Sequence, residues 1–248
     1  MSLRIALIGY GKMGRAVEAE ALARGHHIIL VADRNDAHKA TLLRPDTCDC
    51  FIEFTRPEAA MANFRTLLPT GIPIVTGTTG WLSDLDLLRD EVAKADGKFM
   101  YSSNFSIGVN VLFQLNKTLA RLMNGHPEYD CYIEEAHHRH KKDAPSGTAR
   151  SLAAQMIEGL DRKSKIAGTD LAGRAPDPDE LSVAFTRAGE IIGSHSVTYL
   201  SDIDRITIEH EAFNRRGFAL GAVIAAEWMQ GKRGFFEFGD VFEGGHLG

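Results

Sequence analysis

Cysteine is scarce in this 248-residue chain, and no run of about 18 uninterrupted apolar residues occurs in it. The three cysteines, Cys48, Cys50 and Cys131, form neither a disulfide framework nor a set with zinc-ligand spacing. Positive charge is also limited, because 28 basic residues against 33 acidic ones give a net charge of −5. A general nucleic-acid binder needs a cationic surface. We therefore expect a cytoplasmic protein that binds no nucleic acid and no membrane.

The first hundred residues alternate short apolar runs with amphipathic stretches, a pattern typical of βαβ units. Strands are predicted over residues 4–8, 27–32, 50–54, 73–76 and 98–102, and helices over residues 12–24, 57–68 and 82–95. Continuous apolar strands between helices indicate a parallel sheet that is covered on both faces. Right-handed crossovers then give a doubly wound, Rossmann-type α/β domain.

The pattern changes after about residue 105. Helices are predicted over residues 109–123, 149–159 and 218–229, and strands over residues 129–136, 181–187, 195–200 and 205–210. The polar residues 161–180 are predicted to form a long surface loop. Period-2 alternation in the late strands indicates a sheet with one buried and one wetter face, or a face that packs on a neighbouring subunit.

A Gly-x-Gly-x-x-Gly sequence at residues 9–14 lies between the first predicted strand and the first predicted helix. Its glycines permit a tight turn and let backbone amides approach a pyrophosphate at the helix N-terminus. Asp33, 24 residues after Gly9, ends the second strand and can accept hydrogen bonds from an adenosine ribose. Lys12 and Arg34 could instead neutralise a 2′-phosphate. The expected cofactor is therefore NADH and/or NADPH.

Two further loops follow strands of the same predicted sheet. Residues 77–80 are Gly-Thr-Thr-Gly, and residues 102–105 are Ser-Ser-Asn-Phe. Ligands of open α/β sheets bind beyond the carboxyl ends of the strands, so both loops are expected to reach the nicotinamide half. Glycine and threonine are also ordinary turn residues, and loop composition alone leaves both interpretations open.

The densest chemistry lies in residues 134–149, where a strand leads into a basic loop and a Ser-Gly-Thr turn opens a helix. An imidazole titrates near neutral pH and can donate a proton where negative charge develops. Cations and the free amides of a helix N-terminus together form a receptor for carboxylates. The segment therefore predicts a small polyanionic substrate that accepts a hydride and a proton.

Two other interpretations apply to this segment. Three histidines near Glu134 and Glu135 could hold a metal ion, but adjacent His137 and His138 point to opposite faces of a strand, and the neighbouring cations repel a metal. We therefore expect no metal. A solvated charged loop without a function is the second interpretation.

Residues 135–149, Glu-Ala-His-His-Arg-His-Lys-Lys-Asp-Ala-Pro-Ser-Gly-Thr-Ala, resemble the signature of the 4-hydroxy-tetrahydrodipicolinate reductase (dihydrodipicolinate reductase) family almost letter for letter. Further matches lie at residues 9–14, 54–55, 57–59, 77–80, 104–110, 187–189 and 221–223. The resemblance implies NAD(P)H-dependent reduction of 4-hydroxy-tetrahydrodipicolinate, a small dicarboxylate, to tetrahydrodipicolinate in diaminopimelate and lysine biosynthesis. Other two-domain dehydrogenases and nucleotide-binding sensors without chemistry do not require this signature.

The same resemblance implies roles for individual residues. His137 matches the proton donor, Lys141 matches the cation beside it, and substrate carboxylates are expected at His138, Gly147 and Thr148. Cofactor contacts are implied for Gly9, Gly11, Lys12, Met13, Asp33, Arg34, Gly77, Thr78, Thr79, Ser102, Asn104 and Phe105.

The implied architecture has two domains. Residues 1–105 and 216–248 form the Rossmann-type, dinucleotide-binding domain, and the late apolar helix returns to it. Residues 106–215 form an α+β domain on a mixed open sheet, which binds the substrate and assembles a homotetramer. The chain is shorter than many members of the family between Asp33 and Asp49.

Overall fold

The computed structural model describes residues 2–33, 37–167 and 173–243. The chain divides into two compact units, Met1–Ile107 with Arg215–Gly248 and Gly108–Asn214. The predicted domain limits at residues 105 and 216 lie within two residues of these boundaries. No helix in the described part of the chain is long and apolar enough to cross a membrane.

The strands are numbered in chain order. They are β1 Arg4–Ile8, β2 His27–Ala32, β3 Cys50–Glu53, β4 Ile74–Thr76, β5 Lys98–Tyr101, β6 Asp130–His137, β7 Lys165–Ile166, β8 Glu180–Arg187, β9 Gly193–Leu200, β10 Arg205–Ala212 and β11 Gly234–Glu237. The α-helices are α1 Lys12–Ala23, α2 Ala37–Ala40, α3 Pro57–Leu67, α4 Leu85–Lys94, α5 Ile107–Met123, α6 Gly147–Gly159, α7 Arg216–Trp228 and α8 Asp240–Glu243.

The first unit contains a parallel sheet with the strand order β11-β5-β4-β3-β1-β2 in the described residues. Its central strands are buried apolar runs without polar alternation, as a sheet covered on both faces requires. Residues of α1 and α7 pack on one face, and residues of α3 and α4 pack on the other. The predicted Rossmann-type sheet is thus confirmed.

Strand β11 was not predicted, and the last element expected from the sequence is the helix at residues 218–229. It pairs in parallel with β5 at the edge of the sheet. The ring of Phe235 stacks on that of Phe99 with centroids 5.3 Å apart. Unlike β3 and β4, which are short but fully buried, β11 is a partly exposed edge strand that its long-range pairing with β5 stabilises.

The second unit is built on a mixed sheet with the strand order β10-β9-β6-β8-β7 in the described residues. Strands β10 and β9, and β9 and β6, pair antiparallel, whereas β6 and β8, and β8 and β7, pair in parallel. One face of the sheet packs on α5 and α6 through a core that includes Ile133, Val197 and Tyr199. This arrangement confirms the predicted α+β class.

The prediction of a long surface loop over residues 161–180 was wrong in part. Within it, β7 pairs with β8, and Lys163 is only 6% exposed. The Lys163 ammonium donates hydrogen bonds to the backbone carbonyls of Pro178 and Glu180, at 3.1 and 2.9 Å. These bonds compensate the cost of burying a cation, so the polar composition of the segment does not keep all of it on the surface.

Candidate active site

The loops of the predicted nucleotide site follow strands that end side by side. The register pairs Ile8 with Glu53, Glu53 with Thr76 and Thr76 with Tyr101, each at or next to the last residue of its strand. The loops after β1, β3, β4 and β5 therefore share the carboxyl edge of the first sheet, where open α/β sheets bind their ligands.

The turn between β1 and α1 requires glycine at two positions. Gly9 has a φ of +91°, and a Cβ there would lie 2.2 Å from the carbonyl oxygen of Phe54. A Cβ at Gly14 would lie 2.3 Å from the carbonyl oxygen of Gly9. Gly11 is the N-cap of α1, with no side-chain cap among the described residues and open space around it. The first amides of α1 are therefore available to a phosphate, and the turn fits a dinucleotide.

Three cavities along this edge share lining residues and form a continuous groove. Their volumes are about 450, 340 and 180 Å³. The residues implied as cofactor contacts line all three cavities. The first is lined by Gly9, Gly11 and Asp33, and the second by Gly11, Lys12, Met13, Gly77, Thr78 and Thr79. The third is lined by Met13, Gly77, Ser102, Asn104 and Phe105. Arg34 lies outside the described residues.

The groove also contains residues that sequence reasoning did not assign to a site. Phe54 lines all three cavities, while Arg56 and Asn63 line the largest one and Phe218 the smallest. The loop after β3, like those after β4 and β5, lies beyond the carboxyl end of a strand, where ligands of open α/β sheets bind. The same argument therefore predicts Phe54 and Arg56 as ligand contacts.

A buried carboxylate ties the loops after β3 and β4 together. Thr76 Oγ1 donates to Glu53 Oε2 at 2.5 Å, and the Thr55 hydroxyl donates to Glu53 Oε1. The amide of Thr55 donates to Thr78 Oγ1 at 2.7 Å. Burial raises the pKa of Glu53, against the opposing effect of the hydroxyl hydrogen bonds. The network fixes the groove walls before a ligand binds.

In the second unit, the predicted catalytic segment begins at the end of β6. His137 is the last residue of β6 and is 8% exposed, and half-buried His138 follows it. Lys141 Nζ lies 2.9 Å from Asp143 Oδ2. Burial raises the pKa of Asp143, but the Lys141 ammonium outweighs it and holds that pKa below its usual range. An imidazole at the end of β6 is thus followed, four residues later, by an ammonium that pairs with Asp143.

Helix α6 begins directly after this loop. Ser146 is its N-cap, with Oγ accepting a hydrogen bond from the amide of Ala149 at 3.2 Å. Gly147 and Thr148 occupy the first turn, which carries no acidic residue. The positive end of the helix dipole and the first-turn amides therefore form a receptor for a carboxylate beside the basic loop.

A second cluster, Glu135, His137 and His195, brings three possible metal-ligand atoms within 4.8 Å of one another. The Arg187 guanidinium lies 2.8 Å from Glu135 Oε1 and already neutralises that carboxylate. A cation in contact with the only acidic member of the cluster disfavours a second cation, so the geometry favours hydrogen bonding over metal binding. Sequence reasoning had not connected His195 with this site, because it lies 60 residues away along the chain.

Acid is expected to destabilise the protein through His195. Burial, with the neighbouring His137, lowers the pKa of His195 to about 4. An unfolded histidine titrates near about 6.5, so between these values the unfolded chain binds more protons than the folded one. The free energy of unfolding should therefore fall by up to about 3 kcal/mol as the pH falls from 6.5 to 4.

Urea unfolding of the wild type and of His195→Gln at pH 7, 5.5 and 4 measures this contribution. The stability difference between the two proteins should change with pH in the stated window, while His126→Gln, a substitution at an exposed histidine, should follow the wild type. Parallel stability curves for the wild type and His195→Gln would contradict the assignment.

The fold and the groove define a dinucleotide-binding oxidoreductase with an inserted α+β unit. Models of the N-terminus and the C-terminus of dihydrodipicolinate reductase match residues 3–105 and 108–242. A 4-hydroxy-tetrahydrodipicolinate reductase from Christiangramia forsetii is 44% identical over 96% of this chain and 97% of its own length. One from Methanopyrus kandleri is 40% identical over 81% of this chain and 73% of its own length.

Solved structures agree with the fold. A dipicolinate-bound dihydrodipicolinate reductase from Paenisporosarcina matches with a TM-score of 0.77 and 20% identity, covering 98% of this chain and all of that one. The chain belongs to the dihydrodipicolinate reductase family. It is an NAD(P)H-dependent oxidoreductase of diaminopimelate and lysine biosynthesis, where 4-hydroxy-tetrahydrodipicolinate is reduced to tetrahydrodipicolinate.

Proposed function

We propose that His137 donates the proton of this reduction and that Lys141 stabilises the negative charge that develops beside it. The observation that carries the proposal is the sequence of features along one segment: a buried imidazole at the end of β6, an ammonium four residues later and the N-terminus of α6. The imidazole can donate a proton to the substrate, and the ammonium can stabilise the negative charge that develops in the same step.

The substrate loses water to give a cyclic conjugated imine, which is then reduced by one hydride and one proton. NAD(P)H, when bound in the groove of the first unit, supplies the hydride. His137 supplies the proton to the developing enamine, at carbon or at nitrogen, and recovers one from solvent. The net change is consumption of one hydride and one proton with release of water, so atoms and charge balance.

We assign the substrate carboxylates to His138, Gly147 and Thr148. The first-turn amides of α6 and the half-buried imidazole of His138 are donors that suit an anion. The solved relative with bound dipicolinate, itself a dicarboxylate, supports a dicarboxylate substrate here.

We assign the cofactor to the groove through the residues that line it, with the glycine turn at the pyrophosphate and Asp33 at the adenosine ribose. A direct assay tests the whole proposal: purified protein, NADH and freshly generated 4-hydroxy-tetrahydrodipicolinate are mixed, and the nicotinamide absorbance is followed. Loss of absorbance is expected. Tight NADH binding without cofactor oxidation would instead support a nucleotide sensor.

Replacing Asp33 should change the choice between the two cofactors. Asp33→Ala removes the carboxylate that we assign to the ribose diol and that repels a 2′-phosphate, so kcat/KM with NADH should fall about tenfold relative to that with NADPH. Parallel kinetics with both cofactors measure the ratio. Asp46→Ala, at an exposed position of the same unit, is the matched control, and an unchanged ratio in Asp33→Ala would remove Asp33 from the site.

We also propose that the protein is a cytoplasmic homotetramer assembled through its second unit. Ile203 and Phe213, which flank β10, are 77% and 83% exposed. Apolar side chains this exposed are typical of a surface that a second copy covers. The three cysteines are buried and unpaired, which suits a reducing compartment. Sedimentation analysis of the wild type and of a Phe213→Ser variant tests the assembly.

A further inference from the structure

A buried carboxylate lies directly behind the proposed proton donor. Glu135 precedes His137 by two residues on β6, so both side chains project from the same face of the strand. The Glu135 side chain is fully buried, and its Oε2 lies 3.0 Å from Nδ1 of His137. We infer that Glu135 is a positioning residue that holds a proton on Nδ1 of His137 and leaves Nε2 as the nitrogen that serves the substrate. The inference rests on the proposed role of His137.

The other oxygen of Glu135 is held by two donors. Its Oε1 accepts a hydrogen bond from the amide of Ser146 at 2.9 Å and one from Nη2 of Arg187 at 2.8 Å. Arg187 lies opposite His137 in the register of β6 and β8, and Ser146 caps α6. Burial raises the pKa of Glu135, but the adjacent His137 imidazole and the hydrogen bonds from Ser146 and Arg187 outweigh it and hold that pKa well below its usual range. Glu135 is therefore an anchored anion.

Oε2 of Glu135 and Nδ1 of His137 face each other. Neither atom has a regularly aligned hydrogen bond to another group in the described part of the chain. At 3.0 Å the two atoms lie within hydrogen-bond distance of each other. Catalytic hydrogen bonds of ligand-free enzymes are often poorly aligned and tighten when substrate binds. The carboxylate accepts only, so a proton on Nδ1 is the arrangement that satisfies both atoms.

A second histidine approaches the same oxygen but does not compete for it. Nε2 of His195 lies 3.7 Å from Oε2 of Glu135 and 3.2 Å from Oγ of Ser146. Because Ser146 Oγ already accepts from the amide of Ala149, we assign its hydroxyl proton to Nε2 of His195. His195 then has no proton on that nitrogen to donate. Its pKa of about 4 keeps it neutral near pH 7, so the charge of Glu135 acts on His137.

The opposite nitrogen of His137 has room around it. A Cβ at Gly193 would lie 3.1 Å from Nε2 of His137, closer than an ordinary contact. Glycine at this position leaves Nε2 uncovered by a side chain on that side. Glu135 holds the proton on Nδ1 while Nε2 serves the substrate, which is the division of labour by which the aspartate of a serine–histidine–aspartate triad orients the imidazole without itself becoming protonated.

The test compares kcat of two variants at Glu135. A positioning role and a merely structural role predict opposite rankings of their activities. Glu135→Gln keeps the size and an oxygen for Ser146 and Arg187, but its amide donates to Nδ1 and so disfavours a proton there. Glu135→Asp keeps the charge and loses one methylene. If Glu135 holds the proton, kcat should fall about 100-fold or more in Glu135→Gln, and Glu135→Asp should be at least tenfold more active than Glu135→Gln.

A merely structural role predicts the reverse order, because Gln is isosteric and Asp leaves a cavity. The KM for substrate and the Kd for NADH should change less than threefold in Glu135→Gln. Glu134→Gln is the matched control, since Glu134 is the exposed neighbour on the opposite face of β6. Equal or higher kcat in Glu135→Gln than in Glu135→Asp would overturn the inference.

A second measurement needs no substitution at Glu135. In wild-type protein labelled with ¹⁵N-histidine and studied at a pH where His137 is neutral, one-bond couplings should show the proton on Nδ1, and assignment follows from loss of the signal in His137→Gln. A proton on Nε2 would contradict the inference. If His137→Gln itself retains turnover, the proposed proton donor is wrong; if it is inactive while Glu135→Gln is not, only the positioning role fails.

Discussion

The double variant His137→Gln with Lys141→Ala is expected to lose turnover by about 10³-fold or more while it binds NADH nearly as tightly as the wild type. The substitutions remove the proposed proton donor and the cation proposed to act beside it, and such groups contribute about 10²- to 10⁴-fold each to a proton-transfer step. Both residues lie in the second unit, whereas the groove that we assign to the cofactor lies in the first. Steady-state kinetics and NADH titration by fluorescence measure the two properties separately.

The matched control comes from the same loop. His140→Gln with Lys142→Ala changes the same residue types at exposed positions, and kcat should remain within about threefold of the wild type. A kcat near that of the wild type in the His137 and Lys141 double variant would remove both residues from the mechanism. Equal losses in both double variants would indicate that the total charge of the loop matters rather than these two groups.

Substitution of the first glycine of the turn should destabilise the first unit. Gly9→Ala places a methyl group 2.2 Å from the backbone oxygen of Phe54 and forces alanine into a φ of +91°. Both effects act on rigid backbone, so the free energy of unfolding should fall by about 3 kcal/mol or more. In a protein of this size the loss corresponds to a Tm lower by about 6 °C or more, which calorimetry measures.

Gly11→Ala is the contrasting variant, because Gly11 has a φ of −79° and nothing within 4 Å of a Cβ. Its Tm should stay within about 1 °C of the wild type. The new methyl group nevertheless projects into the groove, so the Kd for NADH should rise about tenfold. Equal thermal stability of Gly9→Ala and the wild type would show that the backbone can relax around residue 9, and unchanged NADH binding in Gly11→Ala would place the cofactor elsewhere.

Much of the first unit could be predicted because its strands and helices carry local signals. The apolar runs of β1 and β2 and the Pro at the start of α3 act over a few residues, and their predicted bounds agree with the structure to within one residue. The edge strand β11 has four residues and depends on a partner more than 130 positions earlier. No local pattern contains that partner, so β11 was missed.

The proposed site shows the same division between local and long-range information. The proposed proton donor and the helix N-terminus lie within one continuous segment of the sequence and could be singled out together. Glu134 and Glu135 were indistinguishable by residue type, since only the register and burial of β6 place one in the core and the other in solvent. His195 and Arg187 reach Glu135 only through pairing of β6 with β9 and β8, which a single sequence does not reveal.

The return of the chain to its first sheet has a consequence for synthesis on the ribosome. Residues of α7 complete the core beneath β1, β3 and β4, and β11 covers the edge of β5, yet both follow the second unit in the chain. A ribosome adds about 5–20 residues per second, so the nascent first unit waits on the order of ten seconds for these elements. During that interval an apolar sheet face and an open strand edge are exposed, and chaperones that bind nascent chains should engage this segment.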